Sequence, residues 1–368
     1  MKYYIIAGEA SGDMHGANLM KEIKRQDSSA VFRCWGGDRM QHASGQIVKH
    51  YRELAFMGFT EVLMNLRTIL KNISFCKKDI LEWKPDVLIL IDYPGFNLRI
   101  AEFAHFIKLK VIYYISPQVW AWKQSRVHKI KKFVDRMLVI LPFEKDFYKK
   151  FDFDVDYVGH PLLDEINQTI SSEDWKKQYA LEGKPIIALL PGSRMQEINK
   201  MLPLMLSVVN KFPDYHFAVS AAPSADRVTI EKICARFPVK IIYADSYSLL
   251  KNSFAALVTS GTATLETALF GVPQVVCYKG GTISYMIAKQ LVNVKFISLV
   301  NLIMEKEVVR ELIQNKLTEK NITTELEKIL KDDNRIRILA QYNELRTRLG
   351  GQGASERAAQ KIVEFVRS

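Results

Sequence analysis

Cysteine is scarce in this chain of 368 residues: Cys34, Cys76, Cys234 and Cys277 lie far apart, with no CxxC pair. A disulfide framework and a zinc knuckle are thereby disfavoured, and a reducing compartment fits. Long hydrophobic runs are missing as well. No stretch of about 18 apolar residues occurs, so nothing is expected to span a membrane. The opening apolar run stops at Gly8 and Glu9, too short for a signal peptide. A protein in the cytosol or on a cytosolic surface is expected. Low-complexity tracts and internal repeats are lacking too. The GxGxxG fingerprint, the GxxxxGK[ST] P-loop and HExxH are all absent, which disfavours a Rossmann dehydrogenase, a P-loop NTPase and a zinc hydrolase. Asp152, Asp154 and Asp156 alternate in a DxDxD run. Nothing else of metal character stands nearby, so no metal site is expected there.

What is present is an ordinary globular composition, 48% hydrophobic and 25% charged. At about 150 residues per domain the length suggests two domains. The net charge of +12 points to a polyanionic partner: nucleic acid, anionic lipid or a phosphorylated substrate. Between Lys123 and Lys150, nine basic residues meet three acids (Asp135, Glu144, Asp146), which concentrates half of that charge. A solvated helix face would explain the run equally well.

Short Val/Ile/Tyr-rich runs predict strands at Tyr3–Ala7, Val87–Asp92, Lys110–Ile115, Arg136–Leu141 and Val155–Val158. After a polar pause at 162–184 they resume at Pro185–Leu190, His216–Ser220, Val239–Tyr243, Ala255–Thr259 and Gln274–Tyr278. Runs such as VLILID and IIALLP have no polar alternation, the mark of parallel strands covered on both faces. Helical stretches between them imply right-handed βαβ units, hence two α/β, Rossmann-like doubly wound domains joined near residue 165. A last amphipathic helix is expected after the Gly350–Gly353 break. Ligands of such sheets sit on the loops at the strands' carboxyl ends, with a cleft expected between the domains.

Those loops carry the candidate chemistry. Gly8-Glu9-Ala10-Ser11-Gly12-Asp13 is a tight turn in which Ser11 or Asp13 could cap the next helix, or a plain strand–helix junction. Asp92, held by a Pro-Gly turn, is placed to act as a general base on a hydroxyl, or to cap its helix. Ser116, Trp120 and Trp122 fit a sugar, base or acyl surface, with core packing the equal alternative. Gly192-Ser193-Arg194 and Ser260-Gly261-Thr262 are two anion cradles at helix starts, with Glu266 placed to hold ribose hydroxyls. Two cradles in one domain favour a nucleotide diphosphate. His160 is as readily a structural turn as a ligand. The apolar stretch 53–83, with Met57, Phe59 and Leu66, is broader than one helix stripe needs; core is the default reading, an acyl groove or membrane-facing patch the alternative.

The blocks GEASGD (8–13), MGFTEVL (57–63), KPDVLILIDYPGFN (84–97), YYISPQVWAWKQSRVHKIKK (113–132), LPFEKDFY (141–148), VGHPLLD (158–164), LLPGSR (189–194) and TSGTATLE (259–266) resemble the lipid-A-disaccharide synthase family. The resemblance implies a GT-B glycosyltransferase with an acceptor domain at 1–165, a UDP-sugar domain at 166–351, and helix 352–368 placed to pack back on the first. It implies an inverting enzyme without metal or cofactor, joining UDP-2,3-diacylglucosamine to 2,3-diacylglucosamine 1-phosphate on the cytosolic face of the inner membrane. The product is the β(1→6) lipid A disaccharide phosphate, with UDP released. Asp92 is then the expected general base, and Glu9, Ser11 and His15 orient the substrates. Gly192, Ser193, Arg194, Ser260, Gly261, Thr262, Glu266, Asn301 and Gln314 hold UDP, and Met57, Phe59, Leu66, Ser116, Trp120 and Trp122 face the acceptor. The expected partners are the two lipid substrates and an anionic membrane, not nucleic acid; a homodimer stays open. Departures from the family pattern are Asp38 after Gly36-Gly37, Val300 before Asn301, and Gly280-Gly281 after Lys279.

Three other functions compete. A UDP-sugar transferase acting on another lipid-linked acceptor shares the cradles but should lack the Ser116–Trp122 and Asp92–Asn97 blocks. A UDP-N-acetylglucosamine 2-epimerase has no use for the apolar 53–83 stretch. A non-enzymatic lipid- or nucleic-acid-binding module leaves Asp92 and Glu266 unexplained.

Overall fold

A computed structural model of the chain describes residues 1–53, 66–121, 124–167, 172, 174–223, 225–280 and 295–368. It divides into two compact units, residues 1–164 with 351–368, and residues 165–350.

The first unit is built on a seven-stranded parallel sheet. Its strands are β1 (Lys2–Ala7), β2 (Val31–Gly36), β3 (Gly45–His50), β4 (Val87–Ile91), β5 (Lys110–Tyr114), β6 (Arg136–Val139) and β7 (Asp156–Tyr157), ordered β3-β2-β1-β4-β5-β6-β7. β4 reads VLILI and is buried along its whole length, because helices cover both faces and leave no side that polar residues could occupy. One polar cluster is set into this core. Tyr4 donates its hydroxyl to Asp79 Oδ2 at 2.7 Å, Arg33 grips the same carboxylate through Nε and Nη2, and Trp35 Nε1 donates to the Tyr4 oxygen. The cluster ties the Leu66–Trp83 helix to β1 and β2, and every member has a partner, as burial of polar groups requires.

The closing helix, Ala354–Arg367, packs on the Ala10–Gln26 helix of this same unit. Asp164 accepts the backbone N–H groups of Gly353 (2.6 Å) and Ser355 (3.1 Å), satisfying amides that the helix start leaves open. Asp156 of the DxDxD run pairs with Arg136 and Lys361, so its carboxylate is spent on holding that helix to the sheet edge.

The second unit carries six parallel strands: β8 (Ile186–Leu190), β9 (His216–Ala221), β10 (Val239–Tyr243), β11 (Ala255–Thr259), β12 (Gln274–Tyr278) and β13 (Arg310–Ile313), ordered β10-β9-β8-β11-β12-β13. Both sheets reverse direction beside their first strand, at β1/β4 and at β8/β11. In a doubly wound sheet that reversal opens a crevice at the strands' carboxyl ends, which locates both candidate sites before any side chain is considered. Three strands lie outside those predicted: β2, β3 and β13. Among the described residues no helix is long and apolar enough to cross a membrane.

Candidate active site

At the β1/β4 reversal the two loops touch. A Cβ on Gly8 would stand 2.4 Å from the Tyr93 ring, so only glycine lets the loops approach this closely. Asp92 and Tyr93 both adopt left-handed backbone, φ 42° and 51°, an arrangement that costs on the order of 1–3 kcal/mol per residue. Neighbours hold it in place. Asp92 N–H donates to the Ile115 carbonyl (3.2 Å), and the Asp92 carbonyl accepts from Tyr113 Oη (2.5 Å) and Asn97 Nδ2 (2.7 Å). Pro94 then opens the Pro94–Phe106 helix at the position where its missing N–H does no harm.

The Asp92 carboxyl stays partly open to solvent but is crowded by protein. That desolvation, reinforced by the nearby Glu9 carboxylate and opposed by a Tyr93 N–H bond, pushes it up to about 7. A carboxylate in this range accepts a proton efficiently at neutral pH. Glu9 is half-buried and Ser11 exposed, both at the mouth of the loop, and His15 is buried one turn further along.

The helix at Ala10 begins without a side-chain cap, correcting the expectation for Ser11 and Asp13. Asp13 instead reaches across to accept the N–H groups of Gly37 (2.6 Å), Arg39 and Met40 (both 3.1 Å), capping the Asp38–His42 helix. His160 is a buried turn residue. Its Nδ1 accepts the Leu162 N–H at 3.3 Å, and burial together with His15 lowers its pKa to about 3, so it stays neutral.

Ser116 and Trp120 are also buried, with 5% and 7% of their surface exposed. The Ser116 hydroxyl meets Tyr148 Oη at 2.7 Å, and Trp120 packs edge-on against Phe143. Direct acceptor contact by these two side chains is therefore corrected to packing within the loop. Met57, Phe59 and Trp122 lie outside the described residues, as does the side chain of Leu66, the first residue of its helix.

At the β8/β11 reversal the helices Met195–Leu206 and Thr262–Leu269 both start without a side-chain cap, leaving backbone N–H groups open to an anion. Gly192 takes φ 106°, and a Cβ there would meet the Glu197 carboxylate at 2.6 Å. Arg194, half-exposed, pairs with Glu197 at 3.3 Å, and Ser193 is exposed beside it. Gly261 and Thr262 are exposed, and burial pushes the partly covered Glu266 up to about 7. Gln314, at the end of β13 with φ 52°, has a buried Nε2 with no hydrogen-bond partner among the described residues.

Two expected nucleotide ligands are engaged within the fold, and for Asn301 this corrects the expectation. Ser260 donates its one hydroxyl proton to the Ile297 carbonyl at 2.9 Å. Asn301 is fully buried, its Nδ2 donating to Val309 O and Glu311 Oε1 while its Oδ1 accepts from Val308 and Val309 N–H. All four of its side-chain hydrogen-bonding positions are filled, so it fixes the loop rather than a ligand. Among the residues the sequence reading missed, Glu144 stands out: 1% exposed, it accepts the N–H groups of Ile140 and Leu141. Read along the chain it is only one of three acids offsetting a basic run.

Comparison with known proteins places this arrangement. The lipid-A-disaccharide synthetase family model matches residues 3–366. Lipid-A-disaccharide synthase from Syntrophus aciditrophicus is 40% identical, over 99% of this chain and 97% of its own length. That of Trichlorobacter lovleyi is 37% identical, over 98% and 97%. Among solved structures, the Staphylococcus aureus MnaA–UDP co-structure matches with a TM-score of 0.69 at 14% identity, over 100% of this chain and 97% of its own. UDP-GlcNAc 2-epimerase from Neisseria meningitidis, bound to UDP-GlcNAc, matches at 0.67 and 13%, over 100% of both chains. These likenesses establish the two-domain GT-B-type fold. The match to the family model over nearly the whole of this chain decides the rest: the chain belongs to the lipid-A-disaccharide synthetase family and is a glycosyltransferase of lipid A biosynthesis.

Proposed function

We propose that the enzyme joins UDP-2,3-diacylglucosamine to 2,3-diacylglucosamine 1-phosphate with inversion at the anomeric carbon. Asp92 takes the proton from the acceptor 6-hydroxyl as that oxygen bonds to C1 of the donor. The C1–O bond to the diphosphate breaks, its electron pair leaves with UDP, and the β(1→6) disaccharide phosphate remains. One inverting displacement needs one base and a stabilised leaving group. The raised Asp92 at the β1/β4 reversal is the observation that carries this reading.

Arg194 and the amides at 192–194 and 261–262 hold the diphosphate and stabilise the charge that develops on it, where electrostatic help acts most strongly. Glu266 accepts from the ribose hydroxyls, and Gln314 offers a free amide donor to the nucleotide. Glu9, Ser11 and His15 orient the substrates at the first unit's loop. The acylated substrates reside in a bilayer, so the first unit attaches to an anionic membrane surface on the cytosolic side, through basic residues and the apolar segment ending in the Leu66–Trp83 helix.

The test is Asp92→Asn. Loss of a general base lowers turnover by about 10²–10⁴-fold, and the affinity for UDP should stay within about twofold of the native value by calorimetry. Full activity in this variant would remove Asp92 from the mechanism.

A further inference from the structure

Glu311 lies on β13, three residues before Gln314, with its carboxyl surrounded by donors of the protein. Oε1 accepts the Ser298 N–H (2.9 Å), the Ser298 hydroxyl (2.8 Å) and Asn301 Nδ2 (2.9 Å), while Oε2 accepts the Ile297 N–H (3.0 Å). Ser298 Oγ also caps the Leu299–Met304 helix by accepting the Asn301 N–H at 3.3 Å. Asn301 closes the ring, gripping Val308 and Val309 just ahead of β13. A carboxylate oxygen makes a stronger bond to a backbone N–H than a neutral acceptor does. Residues 297–301 are thus fastened to β13 by bonds that need no ligand.

The fastened segment reaches the donor side through one group, the Ile297 carbonyl, which accepts the Ser260 hydroxyl at 2.9 Å. Ser260 is the first residue past β11, and its N–H donates to the Cys277 carbonyl of β12 at 3.1 Å. The carbonyl of the next residue, Gly261, accepts both the N–H (3.2 Å) and the hydroxyl (2.8 Å) of the buried Thr264. The turn that presents the N–H groups of 261–262, at the uncapped start of the Thr262–Leu269 helix, is therefore held at the Ser260 N–H, the Ser260 hydroxyl and the Gly261 carbonyl.

We propose that Glu311 is a positioning residue for the donor: through Ile297 it holds Ser260, and through Ser260 it sets the turn whose amides take the diphosphate. This rests on the reading in which the 261–262 amides hold that group. Donors fixed before charge develops are the ones that stabilise it, and a misplacement of about 1 Å can cost 10²-fold. Glutamine is a poor substitute at this position. Whichever way its amide is turned, an NH2 replaces one of the two oxygens and meets donors.

The experiment measures UDP and uridine affinities by calorimetry, together with both KM values, for the full-length native enzyme, Glu311→Gln, Ser260→Ala and the double variant. The ratio of UDP to uridine affinity isolates the diphosphate from the rest of the ligand. It should fall about tenfold in each single variant and donor KM should rise, while uridine affinity and acceptor KM stay within about twofold of native. The double variant should lose less than about twofold beyond the weaker-binding single one, because both changes cut one link. A ratio unmoved in a folded Glu311→Gln or in Ser260→Ala overturns the proposal. So do losses that multiply in the double variant, the result of direct contact between Ser260 and the nucleotide, and equal losses for UDP and uridine, the result of general loosening. If Glu311→Gln fails to fold, Ser298→Ala, which removes one of the donors to Glu311, takes its place in the comparison. Should the native enzyme bind UDP no tighter than uridine, the diphosphate reading itself fails, and the positioning role with it. Should it bind UDP tighter while the variants keep the native ratio, only the positioning role fails.

Discussion

Asp92 and Glu266 are carboxyls that the fold holds near 7, and each leaves a signature in stability as well as in activity. A folded-state pKa raised above the ordinary 3.8 means that the native state of Asp92 prefers the proton. Below about pH 4 both folded and unfolded chains are protonated and no penalty exists. The penalty grows between pH 4 and 7, and above 7 the native state bears the full desolvation of an ionised carboxylate. Asp92→Asn should therefore raise the melting temperature by several degrees at pH 8 and leave it unchanged at pH 4; a gain of equal size at both values contradicts the assignment. On the donor side, Arg194→Ala should lower turnover by about 10²-fold, the scale of a lost transition-state donor, and raise the donor KM; an effect on KM alone reduces Arg194 to ground-state binding. Glu266→Ala should weaken UDP binding in calorimetry, and unaltered binding removes it from the ribose. At this scale the sequence is least informative. Asp92 can be picked out as an acid after a buried strand, but its raised pKa depends on burial by the folded chain and on the charge of Glu9, 83 positions away, at a turn whose two left-handed residues no local pattern announces. Asn301 fails as a nucleotide ligand for the same kind of reason: Glu311 and Val309, which occupy its amide, come from a different element.

Secondary-structure elements were more legible, because burial on both faces writes itself into composition. β4 and β8, reading VLILI and IIALL, are runs that only a covered parallel strand accommodates. The three strands that the pattern missed lie at or next to sheet edges. β2 interrupts its apolar residues with Arg33, whose charge is absorbed by Asp79; β3 is half-exposed almost throughout; β13 is four residues long. Capping also crosses between elements. Asp13 belongs by sequence to the helix it sits in and by function to the start of the Asp38–His42 helix. Asp13→Ala would leave three amides without their acceptor and should destabilise the fold by about 1–3 kcal/mol in urea unfolding. A loss below about 0.5 kcal/mol would mean that water replaces the carboxylate at no cost.

For the whole molecule, the membrane attachment proposed above gives part of the basic excess a use. Lys129, Lys131 and Lys132 are exposed on the Arg126–Phe133 helix, and Leu70, Phe75 and Leu81 are exposed along the Leu66–Trp83 helix of the same unit. Each surface lysine contributes about 1 kcal/mol toward an anionic bilayer, an attraction that fades within a Debye length. Reversing the three lysines to glutamate should reduce co-sedimentation with anionic vesicles at low salt. Equal sedimentation at low and high salt, and with neutral vesicles, contradicts the electrostatic attachment. The account as a whole stands on the reaction itself. The native enzyme, given UDP-2,3-diacylglucosamine with and without 2,3-diacylglucosamine 1-phosphate, should release UDP only when the acceptor is present. One β(1→6)-linked disaccharide phosphate should form for each UDP, its configuration read from the anomeric proton coupling. An α linkage, or conversion of the donor in the absence of acceptor, would contradict it.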